Sequence, residues 1–192
     1  MKETLKLTLG WLYKRRQVMI QTLVLVSAAL YFVYALGYTS NWAGVVTETR
    51  GTNFFNASQQ ANRLMVDIGF ITVIIILINL AFGSFKRPKY YLSNFLLSIV
   101  TSVLLVIQAV MTLYYNGVLR RMYEKLTEEE IPAYLYVTHG AGEKSYAIFD
   151  QGNALSYVLI VVAILSILFI INKAAQQKER AKLIKELLIN EH

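Results

Sequence analysis

The feature that most constrains the fold is an uncharged run from Leu92 to Tyr115. A helix of this length and composition can cross a bilayer. Taken in alternating steps of four and three residues, the run carries one stripe in which every member except Leu105 is polar: Asn94, Ser98, Thr101, Leu105, Gln108 and Thr112. These spacings place the side chains on one face of a helix. A polar seam on an otherwise apolar helix fits a membrane in which the seam faces protein.

Three further apolar runs accompany the first. Hydrophobic residues make up 56% of the chain and charged residues only 16%, which is below the usual quarter of a soluble domain. The four predicted spans are residues 18–38, 64–84, 92–115 and 154–172. The sequence therefore predicts an all-α, four-span transmembrane bundle over residues 18–172, with no second sizeable soluble domain.

The excess of positive charge lies beside the spans. Lys and Arg dominate residues 1–17, the connection 85–91 and the tail 173–192, whereas acids outnumber bases in 117–153. The positive-inside rule then predicts that both termini are cytoplasmic. We interpret 1–17 as a basic interfacial segment, with a frayed tail as the alternative, and 173–192 as a cytoplasmic helical tail. Because the flanks account for the net charge of +7, nucleic acid is not predicted as a partner.

Two local interpretations concern the first half of the chain. The outer end of the first span is crowded with aromatic residues, Tyr31, Tyr34, Tyr38 and Trp42, which predict an aromatic belt at the membrane interface. The basic start and apolar run also fit a signal peptide, but the run exceeds a typical h-region, which favours a retained span. In the outer loop that follows, Asn56 is predicted to cap the second helix.

The second outer loop carries a weak hairpin signal. Residues 134–138 are aromatic and β-branched, 140–142 supply a turn, and 146–149 could return as a second strand. An irregular loop is the equal alternative, because two strands alone are not stable. Gly152 and Asn153 are predicted as loop and cap before the fourth span.

Composition and motifs argue against several kinds of chemistry. The chain has no cysteine, which excludes disulfides, thiolate metal sites and cysteine nucleophiles. His139 and His192 are far apart, and no catalytic or phosphate-binding motif is present. We therefore predict no catalytic residue, no metal site and no cofactor, and a protein that is not an enzyme.

Asp67 is the one acid inside a predicted span. Helix rise puts it about 5 Å inside the outer boundary, where a carboxylate can still reach water. We interpret it as an interfacial acid or a partner for Arg63. The alternative is a functional acid of the kind that small proton antiporters carry.

The seam of the third span also has two interpretations, packing by hydrogen bonds across helices or the lining of a wet path. The first leads us to predict an accessory or scaffold subunit of a larger membrane complex such as a transporter, with the lipid bilayer and a membrane protein as partners. The second leads to a small homo-oligomeric transporter or channel. The paucity of Cys and Pro, with abundant Ile, Leu, Tyr and Lys, suggests a bacterial plasma membrane.

Overall fold

Four long helices form the part of the chain that the computed structural model describes. The described backbone comprises residues 2–40, 49–83, 92–127, 130 and 144–190, and the described side chains are 17–38, 51–81, 95–127, 130, 144–179, 182, 183 and 186. The helices are α1 (Lys2–Ser40), α2 (Thr49–Gly83), α3 (Leu92–Glu124) and α4 (Ala147–Asn190). Each contains a stretch long and apolar enough to cross a membrane, so the predicted all-α architecture with four spans is confirmed.

The helices pack as a ring. The main contacts join each helix to the next along the chain and close the ring between α1 and α4. Consecutive helices run antiparallel, because within each pair the contact positions rise along one helix as they fall along the next. Residues 35 and 32 of α1 meet 62 and 69 of α2, residues 72 and 79 of α2 meet 108 and 98 of α3, and residues 102 and 116 of α3 meet 166 and 153 of α4. This is the up-down-up-down arrangement of a four-helix bundle.

Each helix buries one stripe and exposes an apolar one. On α2 the buried positions recur at steps of three and four residues: Phe54, Ser58, Ala61, Met65, Gly69, Thr72, Ile76 and Asn79. The opposite face exposes large side chains such as Phe70, Ile74 and Leu77. In water, exposure of such an apolar face would be unfavourable, whereas lipid chains cover it without a penalty. Packing between the helices then relies on small and polar residues inside the bundle.

The second helix begins at Thr49, well before the predicted start at Leu64. The predicted cap at Asn56 is therefore wrong, because Asn56 lies inside the helix. The physical reason is that Phe54, Ser58 and Ala61 continue the buried stripe toward the N-terminus of α2. A helix can bury these side chains on one face, whereas a loop would leave Phe54 exposed.

The predicted hairpin is wrong in its returning strand. Residues 147–149 form the first turn of α4, with Asp150 in that turn, where a negative charge is favourable. Phe149 is fully buried, with its ring 5.8 Å from that of Tyr123 on α3. The proposed first strand and turn, 134–142, lie outside the described residues. Gly152 and Asn153, predicted as loop and cap, are also inside α4.

The C-terminal end of α3 is capped by a lysine from a distant part of the chain. The Nζ atom of Lys144 donates hydrogen bonds to the carbonyl oxygens of Tyr123, Glu124 and Leu126, at 3.3, 3.0 and 2.6 Å. The last carbonyl groups of a helix lack the amide donors of a following turn, so they accept hydrogen bonds from other groups. A cation at a helix C-terminus also interacts favourably with the negative end of the helix dipole. Lys144 therefore fixes where the chain returns toward α4.

Arg120 ties α3 to α4 at the same end. Its Nη1 lies 3.1 Å from the carboxylate of Asp150, and its guanidinium stacks 4.8 Å from the ring centre of Tyr146. A longer contact of 3.7 Å joins it to Glu124, one turn further along its own helix. Both ion pairs are exposed and contribute little alone. Burial raises the pKa of the Tyr146 hydroxyl, the Glu124 carboxylate raises it further, and Arg120 opposes both.

Candidate functional site

The polar seam of α3 points into the bundle. Its described members are all buried, the most exposed being Ser98 at 7%: Ser98, Thr101, Gln108 and Thr112, with Ser102 and Asn116 beside or beyond them. The side chain of Asn94 lies outside the described residues. The seam is therefore turned toward the other helices, and its hydrogen bonds fall into three levels along the bundle. We name these levels inner, middle and outer by their order from the N-terminal to the C-terminal end of α3.

The inner level joins α2, α3 and α4. Asn79 Nδ2 donates to Ser98 Oγ at 3.0 Å, and the hydroxyl oxygens of Ser102 and Ser166 are 2.9 Å apart. Thr101 donates its hydroxyl hydrogen to the carbonyl of Leu97, one turn earlier on its own helix. All of these groups are uncharged, so this level can bind neutral polar groups but offers no ionised acid or base.

The middle level joins α2 and α3 through Gln108. Its Nε2 donates to Thr72 Oγ1 at 2.9 Å, while the Thr72 hydroxyl donates to the carbonyl of Ile68 at 2.7 Å. Gln108 is completely buried, and its Oε1 has no hydrogen-bond partner. An unpaired buried carbonyl oxygen costs about 1–3 kcal/mol, so this side chain is only partly satisfied.

The outer level brings α1 into the network and corrects the predicted aromatic belt. Tyr31 and Tyr38 are fully buried rather than interfacial. The hydroxyl of Tyr31 is hydrogen-bonded to that of Thr112 at 3.1 Å, and the Tyr38 hydroxyl donates to Asn116 Oδ1 at 3.2 Å. Steps of three and four residues put both rings on the buried face of α1, where their hydroxyl groups find partners that lipid would not supply.

Asn116 is the junction of this outer level. Its Nδ2 donates to the backbone carbonyl of Phe149 and to Asn153 Oδ1, both at 3.1 Å. Its Oδ1 accepts from Tyr38, with a weaker 3.5 Å contact from Tyr34. One side chain thus links three helices, α1, α3 and α4, in a place where it is 1% exposed.

A cavity lies beside the inner level, with a wall contributed by all four helices. Its polar lining consists of Gln21, Asn79, Ser98, Thr101 and Ser166, and the remainder of the wall is apolar. It offers about 20 Å³ to the centre of a water molecule and is partly open to the outside. In this cavity, polar groups from all four helices border unfilled space.

Asp67 takes no part in these levels. It lies on the exposed face of α2, one turn after the exposed Arg63. The structure thus brings Ser98, Thr101, Gln108 and Thr112 into one interior and leaves Asp67 outside it. Among the described residues, no group of three or more acids, histidines or cysteines could hold a metal ion.

The sequence-based prediction of the site omitted several interior residues. Asn116 continues the α3 stripe one step of four beyond Thr112, so its position carried a usable signal. Thr72 and Asn79 are seven residues apart on one face of α2, which was a weaker signal. No signal in the sequence indicated that Tyr31 points into the bundle, because a tyrosine near a helix end is equally suited to the membrane interface.

No family model, curated protein or solved structure matches this chain.

Because the hydrogen bonding of Gln108 is incomplete, we expect its replacement to have only a small effect on the stability of the bundle. Gln108→Leu loses a hydrogen bond of about 0.6 kcal/mol to Thr72, and it also removes an unpaired carbonyl from the interior. We expect the free energy of unfolding to change by no more than about 1 kcal/mol. Detergent-titrated unfolding of the two proteins, followed by circular dichroism, measures it. A loss of several times that size would mean that Oε1 has a partner after all.

Proposed function

We propose that this protein is a non-enzymatic, multi-pass membrane protein that serves as an accessory or scaffold subunit of a larger membrane complex such as a transporter. The observation that carries the proposal is that Ser98, Gln108 and Thr112 of the α3 seam are hydrogen-bonded to other helices of the same bundle. This supports the packing interpretation of the seam, from which the proposal follows.

The inner and middle levels of the seam are also separated from each other. Leu105 on α3 and Ile76 on α2, both buried, lie between the inner level and Gln108. An apolar layer of this kind would interrupt a water-filled pathway through the bundle. It therefore supports the scaffold interpretation over a channel formed by a single copy.

Co-purification at fixed stoichiometry tests the proposal. The protein, solubilised in mild detergent, should recover one larger membrane protein in constant ratio, identified by mass spectrometry, and deletion of this protein should lower that partner's abundance or activity. Substitution of exposed Val161 on α4 by Trp should reduce recovery if α4 forms the interface, with exposed Val103 on α3 as the matched control. Recovery of this chain alone, or only with copies of itself, contradicts the proposal.

The second candidate function is a small homo-oligomeric transporter or channel. The specific observations in its favour are the polar faces that converge inside the bundle and the cavity beside the inner level. Converging polar faces are what a pathway needs, whereas a docking face for a partner would place polar or small residues outward.

Asp67 discriminates between the two functions. Its exposure on α2 leads us to expect that Asp67→Asn leaves assembly and any associated transport largely intact. The measurement is transport activity normalised to protein level in the membrane, with Arg63→Gln as a control on the neighbouring exposed position. Loss of transport at normal protein level would favour the antiporter.

We also propose, from the composition, that the protein lies in a bacterial plasma membrane, and, from the loop charges, that both termini are cytoplasmic. Because the chain has no cysteine, single cysteines report accessibility without background. Lys125→Cys at the outer end of α3 should react with an impermeant thiol reagent added outside, and Lys178→Cys on the inner part of α4 should not. Both positions are exposed, so burial does not affect the comparison. The reverse pattern would invert the topology.

A further inference from the structure

An unpaired acceptor lies beside the inner cavity. Asn79 is 6% exposed, and its Nδ2 is engaged with Ser98 Oγ, but its Oδ1 has no hydrogen-bond partner. A carbonyl oxygen in an apolar interior loses its hydration without compensation unless a donor reaches it. Asn79 is also part of the cavity wall, so a donor located there would be adjacent to the amide.

The size of the cavity limits which hydrogen-bond donor can occupy it. A site needs roughly 10–15 Å³ of space for the water centre and two to four polar partners to hold one water molecule. The cavity provides about 20 Å³, which is enough for one water and too little for a chain of them. The side chains that line it carry no charge, so nothing in its wall would compensate an ion.

A second acceptor is available on α3. Thr101 gives its single hydroxyl hydrogen to the Leu97 carbonyl at 2.7 Å, which leaves the lone pairs of Oγ1 free to accept. Gln21 brings an amide from α1 to the same wall, and an amide can donate as well as accept. The wall therefore offers acceptors for both hydrogens of a water and a donor for its oxygen.

We propose that this cavity is a binding site for a single ordered water, which donates to Asn79 Oδ1 and to Thr101 Oγ1. Oδ1 itself is covered, so this hydrogen bond requires the Asn79 amide to rotate toward the water. The water joins α1, α2 and α3 at the inner level, where the hydrogen bonds of Asn79 and Ser102 connect α2, α3 and α4. The inference stands independently of the proposed function, because it concerns only the interior of one bundle.

X-ray radiolytic labelling in H2¹⁸O tests the site, because hydroxyl radicals formed from a bound water oxidise side chains next to it. The full-length protein is placed in nanodiscs of phosphatidylcholine, whose headgroup has no O–H or N–H donor that could fill the cavity instead. Phe169 lines the cavity, and Phe149 is a buried phenylalanine that does not. We expect ¹⁸O incorporation into Phe169 to be several-fold faster than into Phe149.

Two variants identify the acceptors. Asn79→Leu removes the carbonyl and fills space, and Thr101→Val removes the hydroxyl while keeping the shape of the side chain. Each should lower Phe169 oxidation several-fold and leave Phe149 unchanged, and Thr101→Val serves if Asn79→Leu fails to fold. The proposal is overturned if Phe169 is oxidised no faster than Phe149 in the unaltered protein, or if the folded variants label Phe169 as fast as the unaltered protein does.

Discussion

Gly152→Ala is expected to destabilise the bundle, although alanine is normally the better residue in a helix. A Cβ atom at this position would lie 2.6 Å from Asn116 Nδ2 and closer still to the Tyr34 hydroxyl. Neither neighbour can move freely, because Asn116 is held by its bonds to Asn153 and to the Phe149 carbonyl, and the Tyr34 hydroxyl is bonded to the Ile148 carbonyl. Overpacking of this kind costs about 1–3 kcal/mol, and moving Asn116 would weaken its hydrogen bonds as well.

A matched control is available on the neighbouring helix. Gly117 lies inside α3, and a Cβ atom added there would meet nothing within 4 Å, so Gly117→Ala should gain about 1 kcal/mol of helix propensity without a clash. Unfolding of both variants in mixed micelles, followed by circular dichroism, should therefore give changes of opposite sign. Equal changes at the two positions would mean that the bundle near Gly152 is looser than its contacts indicate.

The four spans and the seam are predictable from sequence for a simple reason. A bilayer demands long apolar helices, and the steps of three and four residues on α3 then assign Ser98, Thr101, Gln108 and Thr112 to one face. An amide such as that of Gln108 cannot face lipid without a large penalty, so that face had to turn toward protein. These two arguments need no knowledge of which helices are neighbours.

The partners of the seam could not be predicted, because they depend on packing between helices. The spacing of Asn116 is visible in the sequence, but its bonds to Tyr38 and Asn153 arise only when three helices meet.

The start of α4 could not be predicted from the sequence for another reason. Residues 146–149 are a short aromatic and apolar run, which helix and strand can both accommodate, and the burial of Phe149 against Tyr123 decides between them.

Asn116→Leu is expected to be more destabilising than any other single change to the seam. The substitution keeps a side chain of similar size but removes the acceptor for Tyr38 and the donor for both the Phe149 carbonyl and Asn153. At about 0.6 kcal/mol for each hydrogen bond inside a membrane bundle, and more for groups left buried and unpaired, the loss should reach about 2–3 kcal/mol.

A double-mutant cycle with Tyr38→Phe separates the network from packing. Tyr38→Phe removes only the hydroxyl that donates to Asn116 Oδ1, so the ring stays buried on α1. The free energies of unfolding of the two single variants and the double variant should be non-additive, with a coupling of roughly 0.5–1.5 kcal/mol. Gln108→Leu paired with Tyr38→Phe is the control, and it should be additive because Gln108 bonds to α2 instead. Additivity in the Asn116 cycle would mean that the outer level is held by packing alone, and that the link between α1, α3 and α4 does not pass through this asparagine.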